Sequence, residues 1–323
     1  MVSGKNWRYE RWRWQTFGIT WLAYFGFYLT RKSFSVAKIG IDQDPTTNIS
    51  LSQMAWVDGA YLIAYAVGQF VWGMTADKVG TRRVVLCGMF GSVAAAAAMG
   101  ASSVTLALGI LFCLQGVCQS TGWAPLTMNI GNFFSRNERG TVMGFWCTNF
   151  AMGGLVASAY AGYWGDRLGW RFAFFVPAAT LLVIWFLLLL LQRNRPQDLG
   201  LPPIEQYHQQ QTPEHKGEAP QPETPQLEPE GSWKTLFTVI SNPTILALGA
   251  VYFLLKPTRY AILFWGPKYI NSKLGTNMTE SGIIGGLFEA AGIVSILLAG
   301  WISDRVFNRE GCRCASFACS CSV

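Results

Sequence analysis

Two cations, Arg31 and Lys32, lie near the end of an apolar run that begins near Thr16. The run is about as long as a helix needs to cross a bilayer, roughly 20 residues. A charged side chain at membrane depth costs at least about 2.5 kcal/mol, so by default it marks a binding site or a pathway. The alternative is that both side chains extend to the lipid headgroups from a helix end. Position alone leaves both interpretations open.

A second arginine, Arg259, lies in a similar apolar and aromatic segment, Tyr252 to Ile270. Two loop sequences also recur: GMTADKVGTRR begins at Gly73, and GWISDRVFNR begins at Gly300. The arginines are 259 − 31 = 228 residues apart, and the loop glycines are 300 − 73 = 227 apart. Two unrelated features at one offset indicate an internal repeat, typical of a transporter built from two halves. The repeat predicts a central site that receives one arginine from each half.

The composition is that of an integral membrane protein. Of the 323 residues, 51% are hydrophobic and 13% are charged, with a mean hydropathy of +0.25, whereas soluble proteins carry about 25% charged residues. The formal charge of +7 is spread between apolar runs rather than gathered in one patch, which argues against nucleic acid as a partner. The apolar runs contain no evident metal-ligand cluster or nucleophile–base pair. We therefore expect no enzyme, no cofactor and no metal site.

Eight apolar segments predict membrane-spanning helices, and the loops between them predict their orientation. Lysine and arginine are frequent in the amino-terminal segment and after each even-numbered span, and they are rare in the other loops. The positive-inside rule then places the amino terminus in the cytoplasm of a multi-pass protein of the plasma or inner membrane. The predicted spans are residues 15–37, 52–75, 84–103, 105–131, 140–165, 172–192, 244–270 and 281–303.

The order of the spans predicts four regions. These are a complete six-helix half (1–192), a linker (193–243), a partial half of two helices (244–309) and an aberrant cysteine-rich tail (310–323). Residues 197–231 are rich in proline, glutamate and glutamine and bury too little apolar surface to become ordered. We expect this linker to be disordered and cytoplasmic.

The recurring loop predicts a conformational element at one mouth of the protein. Gly80 lies where a tight turn needs a positive φ. Asp77 is able to cap a helix amino terminus or to pair with an arginine of a neighbouring helix, in contacts that form in one access state and break in the other. The alternative is an ordinary solvated loop. The gating residues predicted from both copies are Gly73, Asp77, Lys78, Gly80, Arg82, Arg83, Asp304 and Arg305.

This loop resembles the hallmark G-x-x-x-D-[RK]-x-G-x-[RK]-[RK] of the major facilitator superfamily, although the second copy has Phe307 in place of the later glycine. Further segments resemble the organophosphate:phosphate antiporters over about residues 8–309: YLTRKSF, TRYAILFWGPKYI, FFSRNERGTVMGFW, GWRFAFF and RPQDLGLP. The resemblance implies the major facilitator fold and exchange of a phosphate ester for inorganic phosphate by rocking of two halves. It also implies that Arg31 and Arg259 hold the phosphate, which guanidinium groups bind in a bidentate manner.

The sequence departs from that family at two cationic positions. Where bacterial members often carry a lysine in span 2, this chain has Gln69, and where they carry a histidine in span 5, it has Phe150 beside Asn149. Glu289 matches a family glutamate and is expected to pair with Arg259 or Lys256. The predicted substrate-binding residues are Arg31, Arg259, Gln69, Tyr28, Asn149, Lys256 and Glu289.

Two other functions remain open from the sequence. Some family members resemble transporters but sense external sugar phosphate and signal to a membrane kinase. A proton-coupled carrier of another organic anion would need Asp58 and Glu289 to carry protons. The family resemblance implies twelve spans and this chain has eight, so we also expect a frameshift or premature stop after Arg309 and an impaired product.

Overall fold

The regular secondary structure in the part of the chain that the structure describes is all helical. A computed structural model describes residues 6–47, 49–211 and 241–306, and within these ranges it describes the backbone alone for 136–137, 208–211 and 296–306. No strand occurs in these ranges. The helices are α1 (Trp7–Arg31), α2 (Ser33–Gln43), α3 (Leu51–Val79), α4 (Thr81–Ala101), α5 (Thr105–Gln119), α6 (Trp123–Phe133), α7 (Arg136–Trp146), α8 (Thr148–Leu168), α9 (Phe172–Leu191), a 3-10 helix (Pro196–Leu199), α10 (Ile204–Gln211), α11 (Pro243–Leu274) and α12 (Met278–Val306).

Several helices have the length and composition of membrane spans. Within the described residues five such segments occur: Thr81–Ala101, Thr105–Phe133, Glu138–Leu168, Phe172–Leu191 and Pro243–Leu274. The other three predicted spans lie on α1 and α2, on α3 and on α12, which carry the buried charged residues Arg31, Lys32, Asp58 and Glu289. The protein is therefore an all-α multi-pass membrane protein, and the count of eight spans stays a prediction.

Hydrogen bonds of Asn194 define one end of the bundle, which we call the amino-terminal end. Asn194 follows α9, and its Oδ1 accepts hydrogen bonds from the Thr81 hydroxyl (3.0 Å) and from the Arg82 backbone N–H (2.8 Å). Asn194 thus caps the start of α4. Gly80, the residue directly before α4, has φ = +93°, which confirms the positive φ predicted for it.

Asp44 marks the other end of the bundle, which we call the opposite end. It follows α2 and accepts hydrogen bonds from the Thr46 hydroxyl (2.6 Å) and from Trp170 Nε1 (2.9 Å), while Arg171 Nη1 lies 3.6 Å from its Oδ2. The hydrogen bonds from Thr46 and Trp170 lower the pKa of Asp44 to about 2. These contacts join the end of α2 to the turn between α8 and α9.

The first part of the predicted disordered linker is ordered, which corrects the expectation from composition. The ring of Tyr207 on α10 stacks on Tyr9 of α1, with centroids 4.0 Å apart and an interplanar angle of 5°. The Tyr9 hydroxyl also donates to the carbonyl of Pro202 (3.1 Å). Leu201, Ile204 and Tyr207 are buried in this cluster, so a few apolar side chains suffice to order a polar segment. The remaining linker residues, 212–240, and the tail, 310–323, lie outside the described residues.

The backbones of α8 and α12 are in direct contact, which joins the first half of the chain to the second. A Cβ atom on Gly162 would lie 2.5 Å from the Met278 carbonyl oxygen, and one on Gly282 would lie still closer to the carbonyl oxygen of Ser158. Real Cβ atoms are not found at such distances. Small residues permit this close approach, which is how helices commonly associate in membranes.

Replacing Gly282 by alanine tests this close contact. We expect the variant to lose about 1–3 kcal/mol of stability, because the new methyl group forces α8 and α12 apart. Gly292→Ala is the matched control, because no atom lies within 4 Å of a Cβ at Gly292 on the same helix. The midpoint of thermal unfolding in detergent measures both variants, and equal midpoints would contradict the proposed contact.

Candidate functional site

Arg31 is the last residue of α1, and its side chain is buried between aromatic rings. It is 1% exposed, and its Cζ lies 4.5 Å from the ring centroid of Tyr28 and 4.7 Å from that of Tyr65. Lys32, which interrupts the helix, is also 1% exposed. Both side chains thus point into the bundle, and the interpretation that they extend to the headgroups is wrong.

The guanidinium of Arg31 has a neutral acceptor at its Nε and no hydrogen-bond partner at its Nη2. Its Nε donates to Gln119 Oε1 at 2.9 Å. Its Nη2 is buried and has no hydrogen-bond partner. Among the described residues no carboxylate lies within ion-pair distance of Arg31. A buried cation of this kind is suited to bind the oxygens of an anion.

A buried carboxylate, Glu289 on α12, lies between two other cations. Its Oε2 accepts a hydrogen bond from Arg259 Nη2 of α11 at 3.2 Å, and its Oε1 lies 3.9 Å from Lys32 Nζ of the first half. Lys32 Nζ also donates to the carbonyl oxygen of Leu263 at 3.2 Å. The predicted pairing of Glu289 with Arg259 is confirmed, and Lys32 adds a contact across the two halves.

Two residues of α8 shape the space around this carboxylate. A Cβ on Gly154 would lie 2.8 Å from the Glu289 Cγ, so a glycine is needed there for Glu289 to approach. The ring of Phe150 lies 5.6 Å from the Arg259 Cζ. Phe150 stands at the position for which the family pattern has a histidine, so α8 offers Arg259 a neutral aromatic face.

The two arginines belong to one electrostatic cluster. Lys32 directly follows Arg31, and its Nζ lies 3.9 Å from Glu289 Oε1, whose Oε2 accepts a hydrogen bond from Arg259 Nη2. The ring of Tyr28 lies against Arg31 at 4.5 Å. We call Arg31, Lys32, Arg259 and Glu289 the central charge cluster. The predicted residues Tyr28, Arg31, Arg259 and Glu289 therefore lie together.

The other predicted binding residues are placed as follows. Asn149 is fully buried, and neither its Nδ2 nor its Oδ1 has a hydrogen-bond partner. Gln69 is half-buried on α3, one turn beyond Tyr65. Lys256 is half-buried one turn before Arg259, with its Nζ 5.7 Å from the ring centroid of Tyr252. Contact of these three side chains with a substrate stays a prediction.

The residues predicted to gate the protein lie at the amino-terminal end. Asp77 and Lys78 belong to the last turns of α3 rather than to a loop, and their side chains are exposed, as is that of Arg83. Asn194, not Asp77, caps α4. The Arg82 guanidinium donates to the Leu189 carbonyl oxygen. No atom lies within 4 Å of where a Cβ on Gly73 would be. Asp304 and Arg305 are helical, but their side chains lie outside the described ones, so the gating role of the set stays a prediction.

Sequence reasoning missed a second set of charged contacts, at the opposite end. Lys38 is fully buried, pairs with Asp58 and donates to the Phe264 carbonyl oxygen at 3.1 Å. Asp42 pairs with Lys268. The signal was present, because Lys38 and Asp58 both lie in apolar surroundings, but nothing in the sequence paired them.

A carboxylate of the first half caps the first helix turn of α12 at the same end. Asp166 Oδ1 accepts from the Met278 backbone N–H (3.0 Å), and its Oδ2 accepts from that of Thr279 (2.7 Å). A carboxylate at a helix amino terminus satisfies free N–H groups and complements the helix dipole. We call the five side chains of Lys38, Asp42, Asp58, Asp166 and Lys268 the opposite-end lock.

The central charge cluster predicts a large effect of Glu289→Gln on stability. The substitution preserves shape but leaves Lys32 and Arg259 without their shared counterion, which we expect to cost about 3 kcal/mol or more. Glu280→Gln, at an exposed position of the same helix, is the control and should change stability by less than about 0.5 kcal/mol. Thermal unfolding in detergent measures both, and a neutral Glu289→Gln would show that the cations find other partners.

Comparison with known proteins identifies the class. The model of the Major Facilitator Superfamily matches residues 20–323, and the chain belongs to that superfamily. The crystal structure of a bacterial homolog of the human lysosomal transporter Spinster, inward-facing and unoccupied, superposes with a TM-score of 0.68 at 17% identity, covering 91% of this chain and 63% of that one. This similarity supports the fold.

Curated relatives identify the group within the superfamily. The chain is 32% identical to the glycerol-3-phosphate transporter of Bacillus subtilis, covering 93% of this chain and 67% of that protein. It is 30% identical to a probable hexose phosphate transport protein of Chlamydia trachomatis, covering 93% and 66%. It is 29% identical to the membrane sensor protein UhpC of Escherichia coli, covering 93% and 67%. These relatives match the organophosphate:phosphate antiporter family, whose members are not enzymes, and the chain spans about two thirds of their length.

Proposed function

We propose that the chain forms part of a secondary transporter that exchanges an organic phosphate ester, such as a sugar phosphate or glycerol phosphate, for inorganic phosphate. The observation that carries the proposal is the buried guanidinium of Arg31, with an open Nη2 and no carboxylate at ion-pair distance among the described residues. A phosphate group supplies both the negative charge and the oxygens that this guanidinium lacks. The names of the relatives support phosphate esters as substrates.

Arg259 provides the second contact in this mechanism. Its guanidinium is partly exposed, at 22%, while one nitrogen binds Glu289. A phosphate that binds Arg31 and Arg259 together competes with Glu289 for Arg259. Weaker binding of Glu289 to Arg259 also changes its contact with Lys32, which joins the two halves. Substrate binding is thereby coupled to the relative position of the halves, as alternating access requires.

The opposite-end lock supplies the barrier in one access state. Its contacts between Asp166 and the start of α12, and between Asp42 and Lys268, must break for the site to open at that end. We assign this end to the outside and the amino-terminal end to the cytoplasm, in the plasma or inner membrane, following the distribution of basic residues. We retain the division into a six-helix half, a linker and a second half as part of the proposal.

Conservative replacement of either arginine tests the proposed function. In Arg31→Lys and Arg259→Lys the charge remains but the planar, bidentate donor is lost, so we expect phosphate affinity to fall about tenfold or more. Exchange of labelled phosphate in reconstituted vesicles should fall to background. Arg11→Lys, at an exposed arginine of α1, is the control and should behave as the parent chain. Unchanged phosphate binding and exchange in either site variant would refute the assignment.

A membrane sensor is the second candidate function. One relative is named a membrane sensor protein, and Gln69 and Phe150 leave two cationic positions of the family pattern uncharged. A sensor would bind sugar phosphate without net flux and would pass the signal to a kinase. Ligand binding combined with absence of exchange in the parent chain would favour the sensor. Loss of uptake on adding a proton uncoupler would instead favour a proton-coupled carrier.

A further inference from the structure

Gln119, on the last turn of α5, lies at the centre of a buried hydrogen-bond network beneath Arg31. Its side chain is fully buried. Its Oε1 accepts two hydrogen bonds, from Arg31 Nε at 2.9 Å and from the Tyr61 hydroxyl at 2.8 Å. Both lone pairs of this oxygen are therefore used, and one of them holds the guanidinium.

The opposite side of the same carboxamide fixes its orientation. Gln119 Nε2 lies 3.3 Å from the Phe27 carbonyl oxygen, 3.0 Å from Thr30 Oγ1 and 3.2 Å from Ser92 Oγ. The carbonyl of Phe27 is only an acceptor and the Nε–H of Arg31 is only a donor. A flipped amide would therefore place Gln119 Oε1 against the Phe27 oxygen and Gln119 Nε2 against Arg31 Nε, and neither pair could form a hydrogen bond. The Gln119 oxygen is thus directed to Arg31.

The chemistry of this acceptor determines what Arg31 can bind. A neutral amide satisfies Nε without cancelling the positive charge, whereas a carboxylate would form an ion pair. The rings of Tyr28 and Tyr65 confine the guanidinium from its faces. Since Nε is occupied and the faces are covered, Nη2 is left as a buried donor without a partner.

We propose that Gln119 is a positioning residue that holds Arg31 by its Nε and preserves the full charge of the guanidinium for a phosphate dianion. This inference rests on the proposed function, because it assigns to Gln119 the geometry and the charge on which phosphate binding by Arg31 depends. Gln119 acts through Arg31 and needs no contact with the substrate.

Two substitutions of similar size separate positioning from simple structural support. Gln119→Glu retains an acceptor for Arg31 and Tyr61 but neutralises the guanidinium, so we expect the Kd for inorganic phosphate to rise about tenfold to a hundredfold. Gln119→Met removes every hydrogen bond but adds no charge, so we expect a rise of about threefold to tenfold. Equilibrium binding of labelled phosphate to the purified full chain in nanodiscs measures both values.

The order of the two effects decides the matter. Weaker phosphate binding by the Gln119→Glu variant than by the Gln119→Met variant supports a positioning role. A purely structural role predicts the reverse order, because the methionine variant loses more hydrogen bonds. The reverse order, or equal values, in a chain that binds phosphate overturns this inference alone. Absence of phosphate binding by the unsubstituted chain overturns the proposed function and this inference with it.

A control and a further variant guard against misfolding. Gln115→Met is the control, because Gln115 is also fully buried on α5 and neither amide atom has a hydrogen-bond partner; its phosphate Kd should stay within about twofold of the parent. If the Gln119→Glu variant shows no cooperative thermal unfolding transition and is therefore not folded, the Gln119→Asn variant replaces it. That variant withdraws the neutral oxygen from Arg31 by one methylene, and an unchanged Kd would overturn the proposal.

Discussion

The burial of positive charge in an apolar bundle is the constraint on which this structure depends. A cation removed from water is costly unless a counterion and hydrogen bonds compensate it. Here a single carboxylate, Glu289, serves both Lys32 and Arg259. The close approach of α12 to α8, which needs a glycine at position 154, brings that carboxylate into place. Helix packing and charge compensation are thus one requirement rather than two.

Three buried cations of the described residues are compensated in different ways. Lys38 has a carboxylate partner and three aromatic rings around it, with Trp265 the nearest at 4.4 Å. Lys32 has half of a shared carboxylate and a backbone carbonyl. Arg31 has aromatic faces and a neutral amide. This graded compensation separates a structural cation from one that remains available to an external anion.

Much of the central site could be predicted from the sequence, because charge in an apolar run is rare and visible. The fixed offset between Arg31 and Arg259 and the glutamate at 289 led to residues that the structure places in one cluster. Gln119 was missed because a neutral amide in an apolar span differs little from its neighbours, and its role depends on partners from α1 and α3. The same holds for Lys38 and Asp58, whose pairing is set by helix packing.

Composition also failed where a few side chains outweigh the average of a segment. Residues 196–211 belong to a region rich in proline and glutamine, yet Tyr207 stacks on Tyr9 and orders the segment. A window average does not register one aromatic ring with a partner on a distant helix. The ends of α3, α4, α9, α11 and α12 lie within about four residues of the predicted spans, because they follow from the apolar runs. The early start of α1 and the helix breaks at Lys32, between α5 and α6, and at Cys147 leave no mark on an apolar run and were not predicted.

The cap that Asp166 provides for α12 has a consequence for how the chain is made. The carboxylate precedes the N–H groups that it binds by 112 and 113 residues. At a synthesis rate of roughly 5–20 residues per second, it emerges from the ribosome about 6–20 seconds before α12. The first half is therefore complete when α12 enters the membrane, and α12 inserts against an acceptor that already exists.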